Sequence, residues 1–394
     1  MTQSVTDSER IVILGAGVAG LRVAQRLGRR LKPSEAQIIL IDENDYHQFL
    51  YRIHEVCNLE YENKEIIVPL SRILSKRVDL RQASVQNIDA EGKIVTTDKG
   101  DIPYDICVIA LGSHVTYFGI EGLEENSMTL TSFEAAKSIR ARIQELFEET
   151  SETGRPPKIL IGGGGFTGVE LAGELSDYLP ILYERHNLES SSICVSIVEA
   201  LPTILTGWNE KQVLMSQKVL RNRGVELLLD DPVSRVSKNR VEMKSGKIYE
   251  PDLFVWTGGV RGDPACGLDF QLKGRRISID EYCRAEGYED IYVAGDSACA
   301  VDAGSRRPMP PTAHVAMVQG DLVGDNIVAS LRGSPMKKYV YKRAGEIVTL
   351  GKTNAMGDLF GFLFSGAFAK FMKKVVHWWY LHSIGGFSFL LENM

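Results

Sequence analysis

The chain has 394 residues, of which 44% are hydrophobic and 24% charged, with 37 glycines and a formal net charge of −6. This length predicts two domains plus a smaller appendage. The composition is that of a folded protein, and the negative charge argues against bulk binding to nucleic acid.

Neither a targeting segment nor a membrane-spanning run is expected from the sequence. The first ten residues, MTQSVTDSER, lack the basic flank and apolar run of a signal peptide. The longest apolar runs, at 359–369 and 384–391, are shorter than the roughly 18 residues that a spanning helix needs. No C-x-x-C pair occurs, so reduced cytosolic thiols are expected at residues 57, 107, 194, 266, 283 and 299.

The first predicted element is a strand, RIVIL, followed by the glycine turn GAGVAG (15–20) and a helical pattern. A second strand, AQIILID, ends at Asp42. This order is typical of a dinucleotide-binding unit, in which Gly15 permits the tight turn and Gly17 lets the backbone approach a pyrophosphate. Gly20 lets the helix pack on the strand. The phosphate would lie at the helix N-terminus, and Asp42 would accept hydrogen bonds from a ribose.

The same pattern recurs in PKILIGGGGFTGVELAGEL, with Gly163, Gly165 and Gly168 at the three glycine positions. The next strand, ICVSIVEA, follows the insertion YLPILYERHNLESS and ends at Glu199. A carboxylate there, without a nearby arginine, favours a free ribose 2′-hydroxyl and therefore NADH over NADPH. Two such units predict two dinucleotides held close together.

Three further strands end at residues suited to ligands. YDICVIALGS (104–113) carries Gly112, and PDLFVWTGG (251–259) carries Gly258. Each follows a predicted hairpin, and each glycine predicts a close approach of backbone to ligand. DIYVAGDSA (290–298) contains Gly295 and Asp296, a carboxylate placed to bind a ribityl or phosphate-side hydroxyl of a flavin.

The C-terminal segment FAKFMKKVVHWWYLH (368–382) predicts an amphipathic helix. Its apolar face carries Phe368, Phe371, Met372, Val375 and Trp379, and its polar face carries Lys370, Lys373, Lys374 and His377. Between residues 335 and 375, eight Lys or Arg oppose two acids, a local charge of +6. A helix lying in a bilayer interface near anionic lipid is favoured. Packing of the aromatic face on the protein or on a second subunit is the alternative.

In the order of these parts, the chain resembles the flavoproteins with two dinucleotide-binding domains, and within them the type II NADH:quinone oxidoreductases. The most specific segments are the opening unit, ENDYHQFLYRIHEV (43–56), ALGSHVTYFGIEG (110–122), GGGGFTGVELAGEL (162–175), VWTGGVRG (255–262) and AGDSA (294–298). The resemblance implies an α/β fold with an FAD domain at 1–115 and 285–340, an NADH domain at 116–284 and a membrane-associating region at 341–394. It also implies FAD and NADH as cofactors, a membrane quinone as electron acceptor, a homodimer, and peripheral attachment to the cytoplasmic face of the membrane.

The resemblance also assigns residues. The implied FAD contacts are Gly15, Ala16, Gly17, Val18, Ala19, Gly20, Asp42, Glu43, Val85, Asp296, Ala313, His314 and Lys373. Gly112, at the end of the strand 104–113, is added to them from the strand pattern. The NADH contacts are Gly163, Gly165, Phe166, Gly168, Glu199 and Gly258.

Glu170 is the candidate catalytic residue, because it matches a family glutamate at the junction of flavin, nicotinamide and quinone. It would order the nicotinamide or, if burial raised its pKa, relay a proton to the quinone. A local cap or ion pair is the alternative. His47 and His54, in the segment predicted to pass near the flavin, and Cys57 are interpreted as packing residues.

The segment PMPPTAHVAMVQG (308–320) predicts a helix that begins near Ala313 and points its positive end at the flavin. The family pattern A-Q-x-x-x-Q has glutamines where this chain has His314 and Val318, and Gln319 is one residue late. His314, Met317, Val318 and Gln319 are therefore expected to line the quinone site. His314 is expected to replace the missing glutamine and to alter the quinone preference.

Three alternatives remain. A sulfide:quinone oxidoreductase needs a redox cysteine that residues 341–357 lack. A disulfide reductase is disfavoured as well, because no C-x₄-C or similar pair follows the first glycine turn. A soluble NADH-dependent flavin reductase or oxidase would use the tail as a dimer element. A degenerate flavoprotein serving as a scaffold would not need both glycine turns and both acids.

Overall fold

The computed structural model describes residues 8–58, 66–153, 155–188, 194–262, 270–273, 275–301, 308–341 and 343–393. Strands and helices are numbered in chain order. The helices are α1 (Val18–Arg30), α2 (Leu70–Ile73), α3 (Phe133–Thr153), α4 (Phe166–Arg185), α5 (Glu210–Asn222), α6 (Ala313–Leu331) and α7 (Gly366–Glu392). Short 3₁₀ helices cover Leu50–Cys57 and Gly295–Ser297.

The first sheet is parallel and buried on both faces. Its strands are β1 (Glu9–Leu14), β2 (Ala36–Asp42), β5 (Val78–Gln82), β9 (Ile106–Ile109) and β22 (Ile291–Val293), in the spatial order β22-β9-β1-β2-β5. Ile11 and Ile13 of β1 face a core shared with α1 and α6, whereas Val12 and Leu14 face the opposite side. That side is covered by an antiparallel meander, β6 (Val85–Asp89), β7 (Ile94–Thr97) and β8 (Gly100–Pro103). A continuous apolar run such as IVIL is what a parallel strand covered on both faces requires.

The second sheet repeats this plan. Its strands are β11 (Met128–Thr129), β12 (Ile159–Gly162), β13 (Val195–Val198), β14 (Glu226–Leu228) and β18 (Leu253–Trp256), in the order β11-β18-β12-β13-β14. Its pairs are all parallel. A meander of β15 (Val233–Ser237), β16 (Arg240–Met243) and β17 (Ile248–Tyr249) accompanies it. The predicted α/β fold with two dinucleotide-binding units is therefore confirmed.

Smaller pairings lie outside the two main sheets. They are β3 (Tyr46–Gln48) with β4 (Ile67–Pro69), β10 (His114–Val115) with β19 (Val260–Arg261), and β20 (Leu272–Lys273) with β21 (Arg276–Ser278) and β23 (Ala298–Cys299).

The C-terminal region is an antiparallel sheet followed by a long helix. The sheet contains β24 (Gly345–Thr349), β25 (Ala355–Leu359) and β26 (Phe362–Ser365). Helix α7 follows directly and is kinked at Gly386, whose φ is 79°. In the part of the chain that the structure describes, no helix has both the length and the apolar character that a membrane span requires.

Helix α7 presents its aromatic face outward and much of its polar face inward. Phe368, Phe371 and Trp379 are 59%, 51% and 54% exposed. Lys370 and Lys373, by contrast, are turned toward the protein, where they bind the Gly351 carbonyl and the Glu170 carboxylate. The amphipathic pattern was predicted, but two of its three lysines are engaged inside the protein.

Candidate functional site

Glycines shape the loop that follows β1. Gly15 has a φ of 93°, and a Cβ there would lie 2.4 Å from the Ala110 carbonyl oxygen. A Cβ on Gly20 would lie 1.9 Å from the Gly15 carbonyl oxygen, so α1 can pack on the loop only with glycine at this position. A Cβ on Gly17 would meet nothing within 4 Å, and α1 begins beside it without a side-chain cap. The open side of Gly17 and the uncapped N–H groups of residues such as Ala19 fit the pyrophosphate of FAD.

The loop after β12 has the same construction. Gly163 has a φ of 107°, and its Cβ would lie 2.7 Å from the Gly258 Cα. A Cβ on Gly168 would lie 2.0 Å from the Gly163 carbonyl oxygen, whereas one on Gly165 would meet nothing within 4 Å. Helix α4 begins at Phe166, again without a side-chain cap. This second loop fits the pyrophosphate of NADH.

The acids that end the second strand of each unit brace these loops. Asp42 Oδ2 accepts a hydrogen bond from the Ala16 N–H at 2.6 Å, and burial raises the pKa of this carboxyl. Glu199 Oε2 accepts from the Gly164 N–H at 2.6 Å, and its Oε1 accepts from the Leu201 N–H at 2.9 Å. Because each carboxylate oxygen has a second lone pair, the predicted ribose contacts remain compatible with these bonds.

Two further predicted FAD contacts lie beyond the carboxyl ends of β2 and β5. Glu43 lines a cavity of about 330 Å³ together with Ser84, whose hydroxyl donates to Glu43 Oε1 at 2.7 Å. Val85 begins β6 directly after Ser84. In parallel sheets of this kind, ligands bind outside the carboxyl ends of the strands.

Gly112 and Asp296 are held together by two serines. The Ser113 hydroxyl donates to Asp296 Oδ2 at 3.2 Å, and the Ser297 hydroxyl donates to the Gly112 carbonyl at 2.9 Å. Burial raises the pKa of Asp296. The ends of β9 and β22 therefore converge at one place.

Helix α6 begins at Ala313, as predicted, and the Thr312 hydroxyl caps it by accepting from the Val315 N–H at 3.3 Å. Its predicted site residues range from exposed to buried: Ala313 is exposed, His314 and Val318 are half-buried, and Met317 and Gln319 are buried. Gln319 Oε1 accepts a hydrogen bond from the Gly295 N–H at 2.8 Å. Gln319 therefore ties α6 to the turn that carries Asp296, a role that the sequence pattern did not indicate.

Glu170 lies at the centre of a buried cluster built from distant parts of the chain. Its Oε1 accepts from the Thr349 N–H and from the Thr349 hydroxyl, each at 2.9 Å, and from the Lys373 ammonium. Its Oε2 lies 3.5 Å from Nδ1 of His54, and Nε2 of His54 lies 3.2 Å from the Thr349 hydroxyl. Helix α4, the C-terminal sheet, α7 and the Leu50–Cys57 segment thus meet at one carboxylate.

Charge in this cluster favours an ionised Glu170 beside a neutral His54. Burial opposes ionisation of Glu170, but the Lys373 charge and hydrogen bond, with the Thr349 N–H, hold the pKa of this carboxyl below its ordinary value. Burial lowers the pKa of His54 to about 4. A proton relay through Glu170 was expected only if burial raised the pKa of its carboxyl. That pKa is lowered instead, because the Lys373 ammonium contacts the carboxylate. The predicted FAD contact of Lys373 stays a prediction.

His47 and Cys57 are both buried and engaged in packing. His47 is 1% exposed, with Nδ1 2.9 Å from the Ala16 carbonyl and Nε2 2.9 Å from the Tyr380 hydroxyl. Cys57 is 0% exposed, and burial raises the pKa of its thiol. These residues occupy the packing roles interpreted from the sequence, although His47 also connects two elements of the site.

Sequence reasoning missed Thr349 and Glu174. Thr349 is a single threonine in an otherwise ordinary strand, so no sequence signal marks it. Glu174 lies one helical turn after Glu170 and is 0% exposed, with Oε1 accepting from Asn58 Nδ2 at 2.8 Å. The spacing of Glu170 and Glu174 on one helix face was the signal that could have identified Glu174.

Comparison with known proteins gives the class first. The pyridine nucleotide-disulphide oxidoreductase family model matches residues 9–320, the part of the chain that holds both glycine loops. Among solved structures, NDH2 from Plasmodium falciparum in complex with NADH has a TM-score of 0.84 at 17% identity and covers 98% of both chains. The sulfide:quinone oxidoreductase of Aquifex aeolicus has a TM-score of 0.78 at 21% identity, covering 96% of this chain and 92% of that one. At these identities the two structures share the fold.

Two curated relatives narrow the assignment. The type II NADH:quinone oxidoreductase of Staphylococcus aureus strain NCTC 8325 is 33% identical over 396 aligned positions, and that of Staphylococcus saprophyticus is 31% identical. Each alignment covers 98% of both proteins. The chain belongs to the type II NADH:quinone oxidoreductase family, within the pyridine nucleotide-disulphide oxidoreductases.

Proposed function

We propose that the protein oxidises NADH with a membrane quinone through FAD, without pumping protons. NADH, one proton and a quinone yield NAD⁺ and a quinol, so the two hydrogens of the quinol come from the hydride and from one proton of the medium. Family membership and two intact dinucleotide loops support this proposal. The observation that carries it is the Glu170 cluster, where the NADH unit, the FAD unit and the C-terminal region meet.

The chain's own residues bind and orient. FAD, when bound, supplies the redox chemistry by accepting two electrons from NADH and passing them to the quinone. The N-termini of α1 and α4 hold the two pyrophosphates, and Glu199 selects the 2′-hydroxyl of NADH. The anionic Glu170, fixed by Thr349 and Lys373, orders the nicotinamide by charge and hydrogen bonding.

The activity is tested by half-reactions of the purified, FAD-loaded protein. NADH added without oxygen should bleach the flavin absorbance, and a short-chain benzoquinone or naphthoquinone should restore it. Bleaching by sulfide but not by NADH would contradict the proposal and favour a sulfide:quinone oxidoreductase. Rapid turnover with oxygen or free flavin but none with quinones would favour the soluble reductase.

The role of Glu170 is separated from a proton-relay role by rapid kinetics. Glu170→Gln should slow flavin reduction by NADH about tenfold or more, since one preorganised electrostatic contact is lost. The exposed Glu184 lies on the same helix, so Glu184→Gln is the matched control. A variant that reduces flavin normally but reoxidises slowly with quinone would instead assign Glu170 to the quinone step.

We also propose that the first turns of α6 line the quinone site. His314, Met317, Val318 and Gln319 are the residues assigned to it, with His314 in place of the family glutamine. The side-chain oxygen of Gln319 already accepts a hydrogen bond from the Gly295 N–H. His314 is therefore the polar group expected to face the quinone. His314→Gln should change the quinone KM while leaving flavin reduction by NADH intact, and unchanged quinone kinetics would contradict this assignment.

Membrane contact is proposed through the outward face of α7 and the adjacent β25–β26 turn. Besides the aromatic residues of α7, Phe360 and Phe362 are 79% and 78% exposed. Aromatic side chains of this kind favour the bilayer interface. The inward orientation of Lys370 and Lys373 leaves this contact more apolar and less dependent on anionic lipid than the local charge of the sequence suggested. Co-sedimentation with neutral and anionic vesicles at two salt concentrations measures the difference.

The remaining assignments are proposals of the same kind. The FAD domain is proposed to comprise residues 1–115 and 285–340, the NADH domain 116–284, and the membrane-associating region 341–394. A homodimer bound peripherally to the cytoplasmic face of the membrane is proposed from the family resemblance. Light scattering of the detergent-solubilised protein and protease access in oriented vesicles test these two points.

A further inference from the structure

A buried histidine connects the FAD loop to the C-terminal helix. His47, in β3, lies between the Ala16 carbonyl and the Tyr380 hydroxyl, 2.9 Å from each. A carbonyl can only accept a hydrogen bond, so Nδ1 of His47 carries the proton and donates it to Ala16. Nε2 is then the acceptor for the Tyr380 hydroxyl. Burial lowers the pKa of His47 to about 4, which keeps the ring neutral and in this single tautomer at physiological pH.

The rings around this connection hold it in place. Tyr380 is 3% exposed, and its ring centroid lies 5.9 Å from those of both His47 and Phe49. The Tyr51 ring lies 6.0 Å from Tyr380, and its hydroxyl bonds His377 rather than His47. Tyr51 therefore shares the aromatic surroundings of Tyr380 without touching the connection to Ala16.

The kink in helix α7 creates two further contacts with α1. The positive φ of Gly386 interrupts the helix, so the carbonyls of the preceding turn need other donors. Arg22 Nη1 donates to the Ser383 carbonyl at 3.1 Å, and Gln25 Nε2 donates to the Ile384 carbonyl at 2.6 Å. Arg22 and Gln25 both belong to α1, the helix whose N-terminus faces the FAD pyrophosphate.

Three attachments of one helix thus converge on Ala16 and α1. We propose that Tyr380 and His47 position the Ala16 peptide for FAD binding, so that docking of α7 is coupled to the affinity for FAD. Tyr380 and His47 are positioning residues, because they act on FAD through the loop backbone. One part of this inference, the effect of lipid, rests on the proposed function, because it requires the proposed contact of α7 with the membrane. A lipid surface that holds the outward face of α7 steady would, through Tyr380, also hold the loop and slow the release of FAD.

The first experiment needs no membrane. FAD release from the detergent-solubilised, FAD-loaded protein is followed by the rise of free-flavin fluorescence after dilution. Tyr380→Phe keeps the ring but removes the donor, and should release FAD about fivefold faster, the effect expected of one net hydrogen bond. Tyr51→Phe is the matched control and should stay within twofold of wild type. The double variant His47→Gln/Tyr380→Phe should release FAD no faster than the faster of the two single variants. The effects should not add, because both substitutions break the same hydrogen-bonded connection to Ala16.

The second experiment adds vesicles of phosphatidylcholine and phosphatidylglycerol. Wild type should release FAD several-fold more slowly on vesicles than in detergent, whereas Tyr380→Phe should bind the vesicles equally well and show little slowing. Equal slowing in both proteins, or wild-type release rates for Tyr380→Phe in detergent, would overturn the proposal. Failure of wild type to bind vesicles would contradict both the proposed membrane contact and the lipid arm of the coupling. The detergent arm would then still decide the roles of Tyr380 and His47.

Discussion

Replacing Glu174 by glutamine is expected to stabilise the protein at alkaline pH. Glu174 is 0% exposed, and only one of its carboxylate oxygens, Oε1, has a hydrogen-bond partner among the described residues. Burial raises its pKa from 4.5 to about 7; the nearby Glu55 and Asp177 add to this effect, while Asn58 and Lys370 oppose it. The folded protein therefore holds a proton on Glu174 at pH values where the unfolded chain has lost it.

The sign and size of the effect follow from proton linkage. A group with a raised folded pKa contributes stability that is present below pH 4.5 and is lost as the pH rises to about 7. Each pKa unit corresponds to about 1.4 kcal/mol, so ionisation of Glu174 costs on the order of 3 kcal/mol in total. Glutamine never ionises. The stability advantage of Glu174→Gln over wild type should therefore grow by about 2–3 kcal/mol between pH 5 and pH 8.5.

Guanidinium unfolding of the FAD-loaded proteins, followed by tryptophan fluorescence at several pH values, measures this difference. The buried histidines, such as His54, have lowered pKa values and cost stability as the pH falls. Their contribution is the same in both proteins and cancels in the comparison. The exposed Glu184 provides the control, since Glu184→Gln should give a difference that does not vary with pH. Parallel stability curves for wild type and Glu174→Gln would refute the assignment of a buried, protonated Glu174.

Three further outcomes follow from the structure. Gly20→Ala should prevent folding of the FAD unit, because its Cβ would lie 1.9 Å from the Gly15 carbonyl oxygen. Gly17→Ala should fold but retain little FAD. Circular dichroism and the flavin-to-protein absorbance ratio distinguish these two outcomes. Glu199→Gln should raise the KM for NADH about tenfold and reduce the preference for NADH over NADPH. Steady-state kinetics with both nucleotides measures this preference, and an unchanged preference would contradict the role of Glu199. Trp379→Ser should weaken vesicle binding several-fold without altering FAD content, and flotation at wild-type levels would contradict the proposed membrane face.

Local patterns predicted most of the fold because the dinucleotide unit is encoded in consecutive residues. The strand, the glycine turn and the helix lie within about thirty residues. Gly20 and Gly168 are required by the carbonyls of Gly15 and Gly163, which are close in sequence. The amphipathic pattern of α7 likewise predicted a helix with two faces. It did not predict which face turns inward, because Lys370 and Lys373 have their partners on other elements.

Contacts between distant residues were beyond reach of the sequence. Glu170 and Lys373 are 203 residues apart, and His47 and Tyr380 are 333 residues apart. No local pattern relates the members of such pairs, since their proximity depends on how two units and a C-terminal helix pack together. The protonation state of Glu170 could not be decided from the sequence for this reason: burial alone raises a carboxyl pKa, and the opposing lysine lies on the last helix of the chain.

The inward lysine of α7 links the proposed membrane contact to the proposed catalytic glutamate. Deleting α7 to obtain a water-soluble enzyme would remove the cation that neutralises Glu170 and leave a buried carboxylate without its counter-ion. The shortened protein would have to protonate Glu170 or admit water to it, and either change alters the site where nicotinamide and quinone are expected to meet. Solubility in this protein is better sought by replacing outward aromatic residues of α7 one at a time than by truncation.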